Sequence, residues 1–157
     1  MARAPYQVLV IPFRRASADS VVYALFRRNL ATGGYWQWIA GGGEDDESPL
    51  DAACREAQEE AGIREGRFLA LDSRTMVPVV NVAGFLWGDT TLVIPEYCFG
   101  VEISTPDLKL SDEHIEYRWS CYSDAEQLLR WDSNRIALWE LDHRLVHHVT
   151  RTRYHVD

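Results

Sequence analysis

Gly41-Gly42-Gly43-Glu44-Asp45-Asp46-Glu47-Ser48-Pro49-Leu50-Asp51-Ala52-Ala53-Cys54-Arg55-Glu56-Ala57-Gln58-Glu59-Glu60-Ala61-Gly62-Ile63 is the stretch that decides how this chain folds and where its chemistry sits. Ser48 is a good N-cap, Pro49 suits the first helical position, and Asp51 falls where a capping box wants an acid. Gly62 is a good terminator. The stretch therefore predicts a helix over 49–61. On that helix Glu56, Glu59 and Glu60 stand at i, i+3 and i+4 and share a face. Each like-charge pair costs roughly 0.2–0.5 kcal/mol, and the last turns of a helix already disfavour negative charge. A cluster built against both rules implies a positive partner that the sequence does not encode, most simply a divalent cation. Oxygen-only ligands favour magnesium, with manganese possible, over zinc. The three glycines let the backbone turn sharply and come close to a metal or phosphate, which makes Gly41 and Gly42 candidates for substrate contact.

Upstream, Tyr35 to Ala40 leads straight into the glycines and reads as the strand that feeds them. Trp36 and Trp38 stand two apart on it, and one is expected to face the core and the other substrate. Further upstream, Tyr6–Phe13 and Val21–Phe26 read as a hairpin joined by the polar turn Ala16–Ser20, and Leu30–Gly34 as a loop. Downstream, Phe68–Thr75 and Met76–Val80 are strand-like, residues 82–91 form a loop, and Leu92–Ile103 is a long strand interrupted by Pro95. An acid on that apolar strand is costly unless satisfied, so Glu96 is a candidate for metal or substrate contact. Ile115–Ser120 reads as the last strand, and Ser123–Leu129 and Ser133–Val149 as helices capped by Ser123 and Ser133. The sum is an α/β fold, a mixed sheet with helices on two sides, in one domain over 1–157.

The net charge of −8 and pI near 5.1 argue against nucleic-acid binding through a basic face. A phosphate-bearing small molecule remains compatible if metal ions neutralise the acidic site. Cys54, Cys98 and Cys121 show no CxxC spacing and read as free thiols in a reducing compartment. There is no signal segment and no apolar run of membrane length, so no membrane partner and a cytoplasmic location are expected. Both a monomer and a homodimer are open. His143 and His147 stand at the i, i+4 spacing of a zinc pair, but no carboxylate pattern completes such a site, and a solvated helix face is the simpler reading.

The Gly41–Ile63 stretch resembles the Nudix box, the signature of the Nudix hydrolases. Its pattern is a Gly, five residues, a Glu, seven residues, Arg-Glu, an aliphatic residue, any residue, Glu-Glu, any residue, Gly and an aliphatic residue. Gly41, Glu47, Arg55, Glu56, Ala57, Glu59, Glu60, Gly62 and Ile63 fill it, with Ala57 a small occupant of the aliphatic site. The resemblance implies an α/β/α sandwich, magnesium-assisted hydrolysis of a phosphoanhydride, and Glu56, Glu59 and Glu60 as metal ligands. Arg55 would then hold the ligand face by pairing with Glu47 or Glu59. In this family a glutamate on a loop beyond the box commonly serves as base or further ligand, which points to Glu113, within Asp112-Glu113-His114. Trp36-Gln37 close before the box, Leu110–His114 with Tyr117-Arg118-Trp119, and Trp131–Arg135 with Ala137 further resemble the bacterial dihydroneopterin triphosphate pyrophosphatase group and put Asn134 among the substrate contacts. Pro78, sixteen residues past Gly62, is a placement associated instead with ADP-ribose hydrolases. Dinucleoside polyphosphates are a further substrate class compatible with the box. Some Nudix domains only bind nucleotides, so a non-catalytic module also stays open, although such domains are expected to lose box glutamates that are all present here.

Overall fold

β1 (Arg3–Ser17) is the strand around which the sheet is built. The structure, a computed structural model, describes residues 2–148 and 153–156. Val8 to Ile11 are at most 1% exposed, as expected of a strand covered on both faces. The first half of β1 pairs with β4 (Ile39–Glu44), and its second half leaves β4 for β2 (Ser20–Arg28). Along its other edge runs β6 (Val93–Glu102), in parallel from Gln7↔Glu96 to Phe13↔Glu102. β2 also pairs with β3 (Trp36–Gln37) and β7 (His114–Ser120). β5 (Gly66–Pro78) joins β6, and β8 (Arg153–Val156) joins β5. The sheet is mixed, as expected, with eight strands among the described residues.

Alternation along β1 sorts the core into two layers. Leu9, Ile11 and Phe13 pack with α2 (Tyr122–Leu128) and α3 (Asp132–Val146). Val8 and Val10 pack with α1 (Pro49–Ala61), whose buried face is mostly alanine: Ala52, Ala53, Ala57 and Ala61. Small side chains bring the α1 backbone close to the sheet and leave its glutamates to reach beyond it. The ends of α1 are those the sequence implies. The Ser48 hydroxyl accepts the Asp51 N–H at 3.1 Å and donates to the Asp51 carboxylate at 2.7 Å. Gly62 takes φ +69°, and the N–H groups of Gly62 and Ile63 close the helix on the Gln58 and Ala57 carbonyls.

Several expected elements are redrawn. The hairpin turn shrinks to Ala18-Asp19 because both strands run further than their apolar cores. Tyr35–Ala40 is not one strand. It breaks at Trp38, whose N–H leaves the ladder for the Asn134 side chain at 3.1 Å, so β3 pairs with β2 and β4 crosses to β1. Phe68–Val80 is one strand with an irregularity between Ala70 and Arg74, ending in a 3-10 turn at Val79–Asn81. Pro95 lies inside β6 opposite Met76 of β5, one residue before the pairing with β1 begins at Glu96. The two C-terminal helices start one residue earlier than expected, with Cys121 and Trp131 in the cap positions and neither Ser123 nor Ser133 capping. α3 stops at Val146, and Val149 lies outside the described residues. Ile115–Ser120 corresponds to β7, but β8 follows it in the chain. Among the described residues no helix is long and apolar enough to cross a membrane.

Asn134 is a joint of this arrangement, since its backbone oxygen also accepts the Trp38 indole N–H at 3.0 Å. Asn134→Ala strands the buried Trp38 amide and should cost about 1–3 kcal/mol of stability. Asn134→Asp keeps the acceptor and should cost less. Denaturant midpoints of the two variants against the parent check this.

Candidate active site

One cleft of about 570 Å³ gathers residues from both sides of the sheet. Its walls include Glu56 and Glu60 from α1, Gly41 and Gly42 from β4, Glu96 from β6, Glu113 from the loop before β7, and Trp131 to Asn134 at the start of α3. Glu56 reaches it because β4 carries no side chain where it passes. A Cβ placed on Gly41 would collide with the Glu56 carboxylate, one on Gly42 with the Arg3 guanidinium, and one on Gly43 with the Tyr6 ring. This corrects the reading of these glycines as a sharp turn. All three lie in β4, none has positive φ, and what they provide is room for other side chains.

Arg55 is the hub beneath the cleft. It donates to both Glu47 oxygens at 2.8 and 3.0 Å, to the Gly42 carbonyl at 2.7 Å, to Glu56 at 2.8 Å and to Glu59 at 3.2 Å. These bonds occupy all the donors a guanidinium has. The pairing holds the Glu47 carboxyl below the ordinary range and pushes the Arg55 guanidinium up. Nothing of Arg55 is left for Glu60. Glu59 is drawn the other way. Its side chain is 58% exposed and does not line the cleft, because positions i+3 and i+4 diverge by about 100° around a helix. The shared face of the three glutamates is therefore narrower than their spacing suggests, with Glu56 and Glu60 as its inner pair.

Glu60 is 4% exposed, and its Oε2 is buried without a hydrogen-bond partner among the described residues. Burial, then Glu56 and Glu113, push its pKa up to about 9. Burial likewise raises Glu56, with Arg55 opposing. His114 stands 3.9 Å from Glu60, but both its ring nitrogens are unpartnered among the described residues, and burial and Arg28 push its pKa down to about 4. At neutral pH the two groups are uncharged and do not form an ion pair. The carboxyl pair fits a hard divalent cation: it is buried, oxygen-rich, short of positive charge, and holds an orphan oxygen. Among the described residues no three His, Cys, Asp or Glu side chains converge to hold a metal alone. Such an ion would complete its shell with water and substrate phosphate, which is the habit of magnesium.

The remaining candidates divide. Glu113 is in the cleft and pairs with Arg28 at 3.3 Å. Glu96 is in the cleft but apart from the α1 acids: burial raises its pKa to about 6, only Ser133 opposes, and no other carboxylate acts on it. The structure thus does not bring Glu96 into a cluster with Glu56 and Glu60. Trp38 is fully buried and belongs to the core. Trp36 stacks under Arg118 at 5.0 Å and is not in the cleft, so neither tryptophan of that strand is placed against substrate. Asn134 lines the cleft while its Oδ1 serves Trp38. His143 lies 4.2 Å from His147, ring to ring, and stacks on Trp139, away from the cleft. Sequence reasoning passed over Arg3, Arg28, Gln7 and Tyr35, all of which line the cleft. Tyr35 meets Trp131 edge-on at 5.5 Å. None of these four belongs to a motif, and only the sheet register brings them in.

Comparisons with known proteins agree with this geometry. A family model for the NUDIX domain matches residues 5–139. The crystal structure of a NUDIX protein from Listeria monocytogenes is similar at a TM-score of 0.84 and 36% identity, covering 95% of this chain and 99% of that one. The dihydroneopterin triphosphate pyrophosphohydrolase of E. coli shares the fold at a TM-score of 0.71 and 19% identity, covering 95% and 99%. An octanoyltransferase of Myxococcus xanthus is 29% identical over 121 residues, which are 73% of this chain and 30% of that protein, so the chain spans under a third of the length of this curated relative.

The electrostatics set a pH dependence for the metal-free protein. With its pKa raised to about 9, Glu60 holds a proton in the folded state that it has lost in the unfolded state above the ordinary carboxylate value. Its influence lowers stability as pH rises, by up to about 1.4 kcal/mol per unit, until the folded pKa is passed. His114, lowered to about 4, acts oppositely but only below the ordinary histidine value. From neutrality to about pH 9 the stability of the metal-free protein should therefore fall, and Glu60→Gln should flatten that slope. Melting temperatures across this range without divalent cations test it.

Proposed function

The chain belongs to the Nudix hydrolase family, and from that premise we propose that it hydrolyses a nucleoside or pterin triphosphate to the monophosphate and pyrophosphate. The observation that carries this is the buried, under-neutralised pair Glu56 and Glu60 in the wall of a cleft that also presents Arg3 and Arg28. Magnesium, replaceable by manganese, is the proposed cation, and when bound it supplies neutralisation of phosphate charge and polarisation of the anhydride. Glu56 and Glu60 would hold it, and Glu59, tied to Arg55, would keep the helix face in place. Arg3 and Arg28 attract the phosphate chain. Glu113, at the cleft edge beside Arg28, takes the proton from the attacking water. The choice of triphosphate rests on the Leu110–Trp119 and Trp131–Ala137 stretches, both of which supply cleft residues, Glu113 and Trp131 to Asn134. Pro78 also lines the cleft and favours the second reading, hydrolysis of ADP-ribose or a related dinucleoside compound.

A panel of dihydroneopterin triphosphate, deoxynucleoside triphosphates, ADP-ribose and dinucleoside polyphosphates, assayed with magnesium, separates these readings. Heavy-oxygen water marks the attacked phosphorus, and the label is expected in the monophosphate. Glu60→Gln should lower kcat by at least about 10²-fold with the fold intact. Glu113→Gln should depress kcat with little change in KM, because a base acts in the transition state. Faster turnover of ADP-ribose than of any triphosphate would select the second reading. Tight binding with no hydrolysis of any compound would make the chain a nucleotide-binding module.

A further inference from the structure

Glu96 is a buried acid that the hydrolytic machinery leaves unused. It is 6% exposed, and its Oε1 is buried without a hydrogen-bond partner among the described residues although it stands in the cleft wall. No carboxylate of α1 and no arginine acts on it, and only Ser133 stabilises its charge. A buried carboxylate oxygen lacking a donor is costly. At the wall of a ligand cleft, a ligand that brings the donor removes that cost.

The neighbours of Glu96 define the donor. Gln7 is its partner in the parallel ladder, so the two side chains leave the sheet on the same face. The Gln7 Oε1 is taken by the Arg3 guanidinium, which leaves the Gln7 amide nitrogen as a donor beside the Glu96 acceptor. Gln37 is also in the cleft and only 7% exposed. The cleft also carries Tyr35 and the half-exposed Trp131, which meet edge-on, so one of the two rings can stack on a heterocycle. A carboxylate beside an amide donor matches a ring edge that offers two adjacent donors followed by a carbonyl.

We propose that Glu96 is the specificity residue of the cleft, its carboxylate accepting from the ring N–H and the exocyclic amino group of a 2-amino-4-oxopyrimidine ring while Gln7 donates to the ring carbonyl. That edge is common to guanine and the pterins. The proposal rests on the phosphoanhydride reading only for what the other end of the substrate carries. It excludes adenine, which presents no such pair, and it disfavours hypoxanthine, which keeps the ring N–H and carbonyl but lacks the amino group. A site built around buried polar groups rejects an analogue that leaves one unpaired.

Calorimetric titration with GMP, IMP and AMP tests this without any hydrolysis. The parent protein should bind GMP at least tenfold more tightly than IMP, about 1.4 kcal/mol, with AMP weaker still. Glu96→Gln should abolish the GMP over IMP preference, because a carboxamide opposes one of the two ring donors with a donor of its own. Gln7→Leu should weaken GMP and IMP alike, through their shared carbonyl, and leave AMP unchanged. Equal affinity of the parent for GMP and IMP, absence of GMP binding, or a preference that survives Glu96→Gln in a folded variant overturns the proposal. So does a Glu96→Gln variant whose only change is a weaker magnesium affinity, since that makes Glu96 a metal ligand. A GMP preference in a protein that hydrolyses no triphosphate leaves this proposal standing and removes the hydrolytic one.

Discussion

One guanidinium decides what the acidic helix can do. Arg55 spends every donor on Glu47, Glu56, Glu59 and the Gly42 carbonyl, and so fastens the end of β4, the turn before α1 and the outer face of α1 to one another. Its planar fork suits such bidentate and shared pairing in a way that a lysine ammonium would not. The same saturation leaves Glu60 buried with no cation from Arg55. A protein that places a carboxyl in that position gives up stability in exchange for a strong preference for an incoming positive charge. The repulsion between Glu56 and Glu60 that helps raise the Glu60 pKa in the metal-free state is the force that a bound divalent ion would reverse.

The glycines belong to the same constraint. Gly41, Gly42 and Gly43 are extended residues of β4, and the space where their side chains would be is filled by Glu56, Arg3 and Tyr6. Tyr6 in turn donates to the Glu47 carbonyl at 2.7 Å, and Trp87 to the Arg3 carbonyl at 2.9 Å. The first residues of β1 and the loop after β5 are thereby tied to the box segment. A motif that looks local along the chain is therefore locked by contacts from residues 3–6 and 87, which is why its glutamates can be held in a cleft open to substrate.

What was legible in the sequence follows the range of the forces involved. α1 was legible to the residue because its limits are set by Ser48, Pro49 and Gly62, all local signals. Tyr6–Phe13 was legible as a strand from its apolar run, but its burial on both faces was not. The direction of Glu59 was not, because i+3 and i+4 spacing reads as one broad face although the two positions diverge by about 100°, and the Arg55 contact that holds Glu59 outside the cleft is not written in that spacing. The break at Trp38 was hidden because it depends on Asn134, ninety-six positions away. β8 carries just four residues and pairs with a strand from the middle of the chain, so nothing near it announces a strand. Tyr35 and Arg28 enter the cleft through the pairing of β2 with β3 and β7, a long-range outcome that no short pattern encodes.

The cleft therefore has two chemical ends. Toward α1 it is acidic and short of positive charge, and toward β6 and α3 it presents amides and hydroxyls, the Glu96 carboxyl, and Asp132, which pairs with Arg135. The chain as a whole carries a net charge of −8, so an anionic substrate approaches against the mean field. Arg3 and Arg28 at the cleft oppose that field locally, yet Arg28 is already engaged by Glu113 and Arg3 by Gln7. Arg3 keeps its charge, since Gln7 is neutral, but one guanidinium falls short of the charge a triphosphate brings. On the proposed phosphoanhydride reading, charge balance at the acidic end would come with the ligand, as cations that accompany its phosphates, and the acidic helix would favour the cation-loaded substrate over the bare anion. On the Glu96 proposal, discrimination between heterocycles falls to the other end, where individual hydrogen bonds decide.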